Sequence, residues 1–170
     1  MYEVDDQDRV VPLDELPQSS VGSPIPQVLA MEADVVLAYY VQEREFWTKP
    51  RPVNPETFDE LVALVRFHGC IAHLWGPPND EALTGHPLAS RGLQPYGIFR
   101  IENSSWIRKL ERMNRVHRSH KPERYWQRQH LIFTFHDSTF ECVCNTFEAT
   151  TKRGPIAGMI PEMQKLLEKR

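Results

Sequence analysis

Apolar residues along this chain fall into short runs that turn-forming residues separate. Four of these runs are rich in β-branched and aromatic residues and predict strands at 34–42, 96–102, 130–136 and 139–145. The first run is apolar on both faces, which is typical of a central strand. The last two are joined by Asp137 and Ser138, so they predict a β-hairpin with a two-residue connection.

The segment after residue 54 has two interpretations. Pro55 follows a candidate N-cap residue and precedes an acidic one, and apolar residues then recur at helical spacing. However, residues 61–67 are rich in β-branched and aromatic residues and end close to Gly69. We favour a helical turn at 55–59, a strand at 61–67, a turn or bulge at Gly69 and a strand at 70–74. A helix over 55–65 remains the alternative.

Three further segments favour helices. Asn103 and Ser104 precede a stretch with helical periodicity, and Ser104 is a favoured capping residue. The predicted apolar stripe of this helix is Trp106, Ile107, Leu110 and Met113. Its predicted exposed face carries Arg108, Lys109, Arg112 and Arg115. Residues 122–126 favour a short helical piece. Pro161 begins a last helix, whose inward residues are Met163, Leu166 and Leu167.

The order of these elements predicts an α+β fold. We expect an antiparallel or mixed sheet of about five to six strands with two to three helices packed on one face. Residues 1–31 are acidic and rich in proline, yet they contain too many apolar residues for a free tail. We expect them to form an extended arm that is docked on a single domain at 32–170.

Composition narrows the class of protein. A chain of 170 residues with 41% hydrophobic and 25% charged residues has the composition of a globular domain. Its three cysteines do not form a disulfide framework. The first residues lack the basic and apolar regions of a signal peptide, and no apolar run is long enough to span a bilayer. We therefore expect a soluble cytoplasmic protein without a membrane partner.

The loop between Trp75 and Leu88 is the first candidate for a functional site. It is dense in turn-forming residues and lies between predicted strands, where binding residues are often found. If the predicted hairpin tip lies beside it, the two segments form one polar surface. The candidate ligand-binding residues are His73, Asp80, Glu81, His86, His136 and Asp137.

A metal site and a catalytic site are weaker interpretations of the same residues. His73, His86 and His136 are the candidate metal ligands, but no ligand spacing supports them, so we expect no cofactor. The run from His136 to Thr139 contains the residue types of a catalytic triad, but consecutive hairpin residues point to alternate faces. No catalytic residue is assigned.

The basic segment 108–128 supports another interpretation. Arginines and lysines are interleaved there with Trp106, Tyr125 and Trp126, a combination that binds single-stranded nucleic acid. The candidate contacts are Arg108, Lys109, Arg112 and Arg115. The net charge of the chain is −3, which argues against nucleic acid and favours a solvated helix face or one that neutralises the acidic arm.

The sequence therefore favours a binding or interaction protein for a small molecule or another protein, rather than an enzyme. Its first alternative is a metal-dependent hydrolase that uses the three histidines with Asp80 or Glu81 as base. The second is single-stranded nucleic-acid binding through the basic segment. A homodimer is left open.

Overall fold

Two antiparallel β-sheets packed face to face form the centre of the protein. The computed structural model describes residues 2–43 and 60–169, and within these the chain forms nine strands and three α-helices. The strands are β1 (Arg9–Pro12), β2 (Gln27–Ala30), β3 (Asp34–Tyr40), β4 (Leu61–His68), β5 (Ala72–Gly76), β6 (Ile98–Glu102), β7 (Gln129–Thr134), β8 (Thr139–Cys144) and β9 (Thr146–Arg153). The helices are α1 (Ser105–Asn114), α2 (Glu123–Trp126) and α3 (Ile160–Glu168). Spatial order is β1-β6-β7-β8-β5 in one sheet and β2-β3-β4-β9 in the other.

The main core lies between the two sheets. Alternate residues of β7, Leu131 and Phe133, face Tyr39 of β3, and the Tyr39 and Phe133 ring centroids are 6.0 Å apart. The α+β class is therefore confirmed, but the prediction of one sheet with five to six strands was wrong. The sequence shows where strands occur, whereas pairing between distant segments divides them into two sheets.

Both outer sheet faces are covered as well. Leu83, Leu88 and Trp106 pack on the outer face of the five-stranded sheet, and Met159 and Met163 pack on that of the four-stranded sheet. Helices therefore lie on both sides of the sandwich, not on one face as predicted. Each sheet has an apolar outer face in addition to its face in the central core, and this outer face must also be shielded from water.

The N-terminal segment contributes a strand to each sheet. β1 pairs with β6, and β2 pairs with β3. Between them, Leu13 and Leu16 are buried in the core between the sheets. The N-terminal segment therefore differs from the predicted docked arm, because its two short strands are members of the sheets themselves.

Strand β4 resolves the ambiguous segment from residue 61 onward. Residues 61–65 belong to a strand, so the helical alternative was wrong there. The predicted strand at 70–74 is observed as β5, two residues later, and Gly69 adopts a positive φ of 59° between β4 and β5. The predicted helical turn at 55–59 lies outside the described residues.

The predicted hairpin is formed by β7 and β8. Thr134 pairs with Thr139, so the connection comprises the four residues 135–138 and not two. The Phe135 N–H donates to the Ser138 carbonyl at 2.8 Å and closes this connection. A two-residue connection would pair residue 136 with Thr139, so the observed pairing is shifted by two residues. Because the shift is even, each side chain stays on the face of the sheet that a two-residue connection would give it.

Helix α1 begins as predicted. The Ser104 hydroxyl accepts a hydrogen bond from the Ile107 N–H at 3.2 Å, which caps the helix. Met113 was wrongly assigned to the buried stripe, since it is 66% exposed. Glu111 is buried instead, paired with Arg115. The buried stripe therefore turns towards Glu111 in the last part of the helix.

The C-terminal helix also follows its prediction. α3 begins at Ile160, with Pro161 in its first turn, and Met163 is fully buried. Leu166 and Leu167 pack against the same cluster. Among the described residues, no helix combines the length and the apolar character needed to cross a bilayer.

Candidate functional site

The loop after Trp75 and the hairpin tip meet at one end of the five-stranded sheet. β5 pairs antiparallel with β8, and Gly76 is opposite Thr139, so the chain leaving β5 lies beside the chain entering β8. The Thr139 hydroxyl donates to the Pro78 carbonyl at 2.9 Å, and the Asp80 N–H donates to the His136 carbonyl at 3.0 Å. The structure thus brings Asp80 and His136 together.

Asp80, Tyr96 and His136 form a hydrogen-bonded cluster at this contact. His136 Nδ1 lies 2.9 Å from Asp80 Oδ2, and the Tyr96 hydroxyl lies 2.9 Å from the same nitrogen. The Tyr96 hydroxyl also donates to Asp80. Tyr96 precedes β6 and has a positive φ of 59°, a conformation that few non-glycine residues adopt.

The contacts within the cluster shift the pKa values of its members. Hydrogen bonds from Tyr96 and His136 lower the pKa of Asp80, and the bond to Asp80 raises the pKa of Tyr96 to about 12. The same carboxylate, through its hydrogen bond and its charge, raises the pKa of His136. A carboxylate next to an imidazole that readily becomes cationic is therefore presented at the surface. His136 Nε2 is turned away from Asp80, because Asp80 contacts Nδ1.

Two other predicted residues lie around this cluster. Asp137 has a side chain that is 89% exposed, and its Oδ1 is 4.0 Å from His136 Nε2. Glu81 is exposed and follows Asp80 directly. The rim of the cluster is therefore acidic.

Exposed apolar and aromatic side chains lie on β5 and just before it, with Leu74 and Trp75 on opposite faces of the strand. Trp75 is 48% exposed, and its indole N–H donates to the Ser138 hydroxyl at 3.3 Å. Leu74 and Ile71 are also exposed, by 37% and 41%. His73 lies on the same strand, with its ring stacked beside Phe140 at a centroid distance of 6.4 Å. Trp75 and Tyr96 were not among the candidate ligand-binding residues, although both border the contact between loop and hairpin tip.

His86, in contrast, is turned into the protein. Its side chain is completely buried, and Nε2 lies 3.0 Å from Glu141 Oε1 on β8. Two short 3₁₀ turns, Leu83–Gly85 and Ala89–Arg91, carry the loop back over the sheet and direct His86 inward between Leu83 and Leu88. The structure therefore separates His86 from the exposed cluster.

Glu141 is the centre of a buried polar network that the sequence did not predict. His130 Nε2 lies 3.0 Å from Glu141 Oε2, and the Tyr2 hydroxyl donates to the same oxygen at 2.6 Å. His130 Nδ1 lies 2.8 Å from the Ser104 hydroxyl, so the network reaches the cap of α1. The signal in the sequence was the presence of His130 and Glu141 at inward positions of otherwise apolar strands.

The hydrogen bonds of this network converge on Glu141. The Leu88 N–H donates to His86 Nδ1, which places the His86 proton on Nε2, facing Glu141. The Ser104 hydroxyl accepts the Ile107 N–H and also contacts His130 Nδ1, so His130 links the cap of α1 to Glu141. Burial opposes ionisation of Glu141, but hydrogen bonds from His130, His86 and Tyr2, together with electrostatic attraction to His130, outweigh it and lower its pKa to about 2.

The three candidate metal ligands do not share one site. His136 contacts Asp80, His86 contacts Glu141 and His73 stacks beside Phe140. Residues 2–43 and 60–169 contain no group of three or more His, Cys, Asp or Glu side chains arranged to hold a metal ion. The geometry thus offers no argument for the metal-dependent hydrolase.

The basic helix α1 is partly neutralised by acidic residues. Arg108 pairs with Asp5 of the N-terminal segment, and Arg115 pairs with Glu111 four residues earlier. Lys109 and Arg112 are exposed. The predicted nucleic-acid contacts therefore do not form a continuous row of unpaired cations.

Comparison with known proteins adds no family to these observations, because no family model, no curated protein and no solved structure matches this chain.

Proposed function

We propose that this is a protein-interaction domain that binds an extended basic peptide segment along β5 and the neighbouring hairpin tip. The single observation that carries the proposal is that the edge strand β5 exposes Leu74 and Trp75 and leads directly to the Asp80–Tyr96–His136 cluster with its acidic rim of Glu81 and Asp137. The strand offers backbone hydrogen bonds and apolar contact, and the cluster offers charge.

The backbone argument rests on the position of β5. It is the last strand of its sheet and pairs only with β8 within the described residues, so alternate N–H and C=O groups point away from the sheet. An extended peptide can add a strand to such an edge. Edge strands are commonly protected by charged side chains or proline. β9 carries Lys152 and Arg153, and β1 carries Arg9 and Pro12, whereas neither β2 nor β5 carries Asp, Glu, Lys or Arg; of these two edges, β5 is the one that leads to the hairpin tip.

The charge argument selects a basic peptide. Asp80, Glu81 and Asp137 surround one imidazole at the end of β5, so an acidic rim meets the exposed indole of Trp75. A guanidinium or ammonium group placed over an indole face gains cation–π attraction, and nearby carboxylates add to it. An acidic peptide would meet repulsion at the same place.

A random peptide library displayed on phage tests the proposal. We expect selection on the full chain to enrich peptides with an arginine or lysine among β-branched residues. Synthetic copies of these peptides, measured by fluorescence anisotropy, should bind Trp75→Ala at least about tenfold more weakly, as for a central interface tryptophan. The matched control is Trp126→Ala, which removes another exposed tryptophan, remote in sequence, on α2, and should bind normally.

Backbone pairing has its own readout. N-methylation of one alternate set of peptide amides should abolish binding, while methylation of the other set should be tolerated, because only one set faces β5. Failure to enrich any peptide, or tolerance of both methylated sets, would overturn the proposal. Analytical ultracentrifugation checks the rival occupant: a dimer that Trp75→Ala dissociates would show that a second copy of this chain, not a peptide, covers β5.

A further inference from the structure

A cavity lies where β6 ends and α1 begins. It has a volume of about 580 Å³ and is lined by Gln7, by residues of β6, by the start of α1 and by residues from the end of α2 to the first residue of β7. This volume is in the range of small-molecule sites, about 300–1,000 Å³. None of the peptide-binding residues proposed above lines it.

Three arginines from different elements line this cavity: Arg100, Arg108 and Arg128. Arg100 pairs with Glu15, and Arg108 pairs with Asp5. Arg128 forms no ion pair in the described part of the chain; one of its terminal nitrogens donates to the Gly69 carbonyl at 2.6 Å. It is therefore the cation with an uncompensated charge at this cavity.

Two of these guanidinium groups also have an unused proton. The Nε–H groups of Arg100 and Arg128 are buried and lack an acceptor among the described residues. A buried donor without an acceptor is costly, so a small movement of either side chain onto a bound anion would satisfy it. Arginine is well suited to phosphate because its planar fork can donate two parallel hydrogen bonds.

Aromatic and amide groups complete the lining. Trp126 is 71% exposed, and Tyr125 lies beneath Arg128 with 5.9 Å between the guanidinium carbon and the ring centroid. Gln7, Asn103 and Gln129 contribute carboxamides. An indole face can stack on a planar base, and a carboxamide can donate to and accept from the edge of that base.

We infer that this cavity binds a nucleoside monophosphate, with the phosphate on Arg128 and the base on Trp126. The arginines account for the phosphate, and the aromatic and carboxamide groups account for a planar, hydrogen-bonding base. Inorganic phosphate would use the first set alone, and a nucleoside would use the second set alone. The two sets together specify a molecule that carries both parts.

A single nucleotide fits better than a nucleic-acid strand. A strand needs a groove of cations that follows successive phosphates. Arg108 is already paired with Asp5, and Arg115 with Glu111, so the basic helix does not extend the cavity as such a groove. The carboxylate of Glu102 also lines the cavity, paired with Arg9, so the lining contains an acidic group beside the arginines and is not a continuous row of cations.

Isothermal titration calorimetry of the full chain with AMP, GMP, CMP and UMP tests this inference. We expect at least one to bind with a Kd below about 1 mM at low salt, while its nucleoside and inorganic phosphate each bind at least about tenfold more weakly. Absence of heat with all four at about 5 mM would overturn the inference. An oligothymidylate of about ten residues that binds far more tightly than TMP, with a steep salt dependence, would replace it with strand binding.

Two variants locate the site. Trp126→Ala changes an exposed side chain and should weaken nucleotide binding at least about fivefold while leaving the fold intact. Arg128→Lys keeps the charge but loses the fork, so it should also bind more weakly. Trp75→Ala is the matched control and should bind the nucleotide normally. Unchanged affinity in both Trp126→Ala and Arg128→Lys would place the nucleotide elsewhere and refute the assignment.

Discussion

Replacing Glu141 with glutamine should lower the free energy of unfolding far more than a similar substitution at the surface. The carboxylate accepts hydrogen bonds from His86, His130 and Tyr2, and all four side chains are buried. A glutamine of the same shape places an NH₂ group against one of these donors. His86 cannot respond by moving its proton, because its other nitrogen already accepts the Leu88 N–H.

Two estimates of the loss agree. A carboxyl whose pKa falls from 4.5 to about 2 on folding contributes about 3 kcal/mol to the free energy of unfolding at neutral pH. Removing one member of a buried charged network, which leaves a donor without an acceptor, costs about 3–5 kcal/mol. For a chain of this size, such a loss corresponds to a fall in Tm of about 6–20 °C.

Urea denaturation of Glu141→Gln and the wild-type protein, followed by circular dichroism, measures this loss. The matched control is Glu148→Gln on β9, where the side chain is 53% exposed and the change should cost less than about 0.5 kcal/mol. The pKa of Glu141 is lowered, so its contribution is complete above pH 4.5 and is lost as the pH falls through about 2. The difference from Glu141→Gln should shrink over that range. A loss below about 1 kcal/mol at neutral pH, or one independent of pH between 2 and 5, would refute the reasoning.

Three further changes follow from individual contacts. Ser104→Ala removes the α1 cap and the hydroxyl that contacts His130 Nδ1, so it should cost about 2 kcal/mol in urea denaturation. Ser105→Ala removes a buried hydroxyl without a partner in the described residues and should be neutral or stabilising. Gly69→Ala should cost about 1–2 kcal/mol in the same assay, because φ is +59° and the added Cβ would lie 2.3 Å from the side-chain nitrogen Nδ2 of Asn145. Asp80→Asn should lower the pKa of His136, measured by NMR titration of the ring protons, because Asp80 is the main cause of its increase.

Each of these changes has a matched comparison. Equal losses for Ser104→Ala and Ser105→Ala would show that the two contacts of the Ser104 hydroxyl do not stabilise the fold. Gly22→Ala should be nearly neutral, since a Cβ there meets nothing within 4 Å, and a similar cost at both glycines would exclude local strain as the cause. Asp137→Asn should change the pKa of His136 less than Asp80→Asn, because Asp137 is 4.0 Å from the ring and Asp80 is 2.9 Å away. The raised pKa of His136 implies a stabilising contact that is present at low pH and lost as the pH rises through it.

Local patterns in the sequence were sufficient for the elements that depend on near neighbours. The β7–β8 hairpin and the cap at Ser104 were predicted because turn residues and capping side chains act within a few residues. The division into two sheets was not predicted, because β4 pairs with β9, 78 to 92 residues further along the chain, and apolar alternation does not specify the partner. Side-chain alternation indicates which face of a strand is buried, but it does not indicate which other strand or helix covers that face.

The same limit explains the candidate site. Asp80 and His136 meet because Gly76 is opposite Thr139 in the sheet, a pairing that the sequence suggested only through the assumed proximity of loop and tip. The inward direction of His86 depends on two 3₁₀ turns, which the apolar periodicity of the sequence does not predict. Flanking leucines at 83 and 88 were the one available indication that this part of the loop faces the sheet.

The buried His86 of this loop and the exposed His136 of the hairpin tip have different roles, and both roles depend on β8. Gly76, where the loop begins, pairs with Thr139 at the start of β8, and His86, near its end, is bonded to Glu141 two residues further along the same strand. Residues 77–85 therefore span a short stretch between two attachments on one strand. One attachment is a pair within the sheet, and the other is a buried hydrogen bond. Together they hold Asp80 where its N–H reaches the His136 carbonyl, so the position of the exposed cluster depends in part on the buried network. This dependence is why a polar network inside the protein matters for a surface that its residues do not touch.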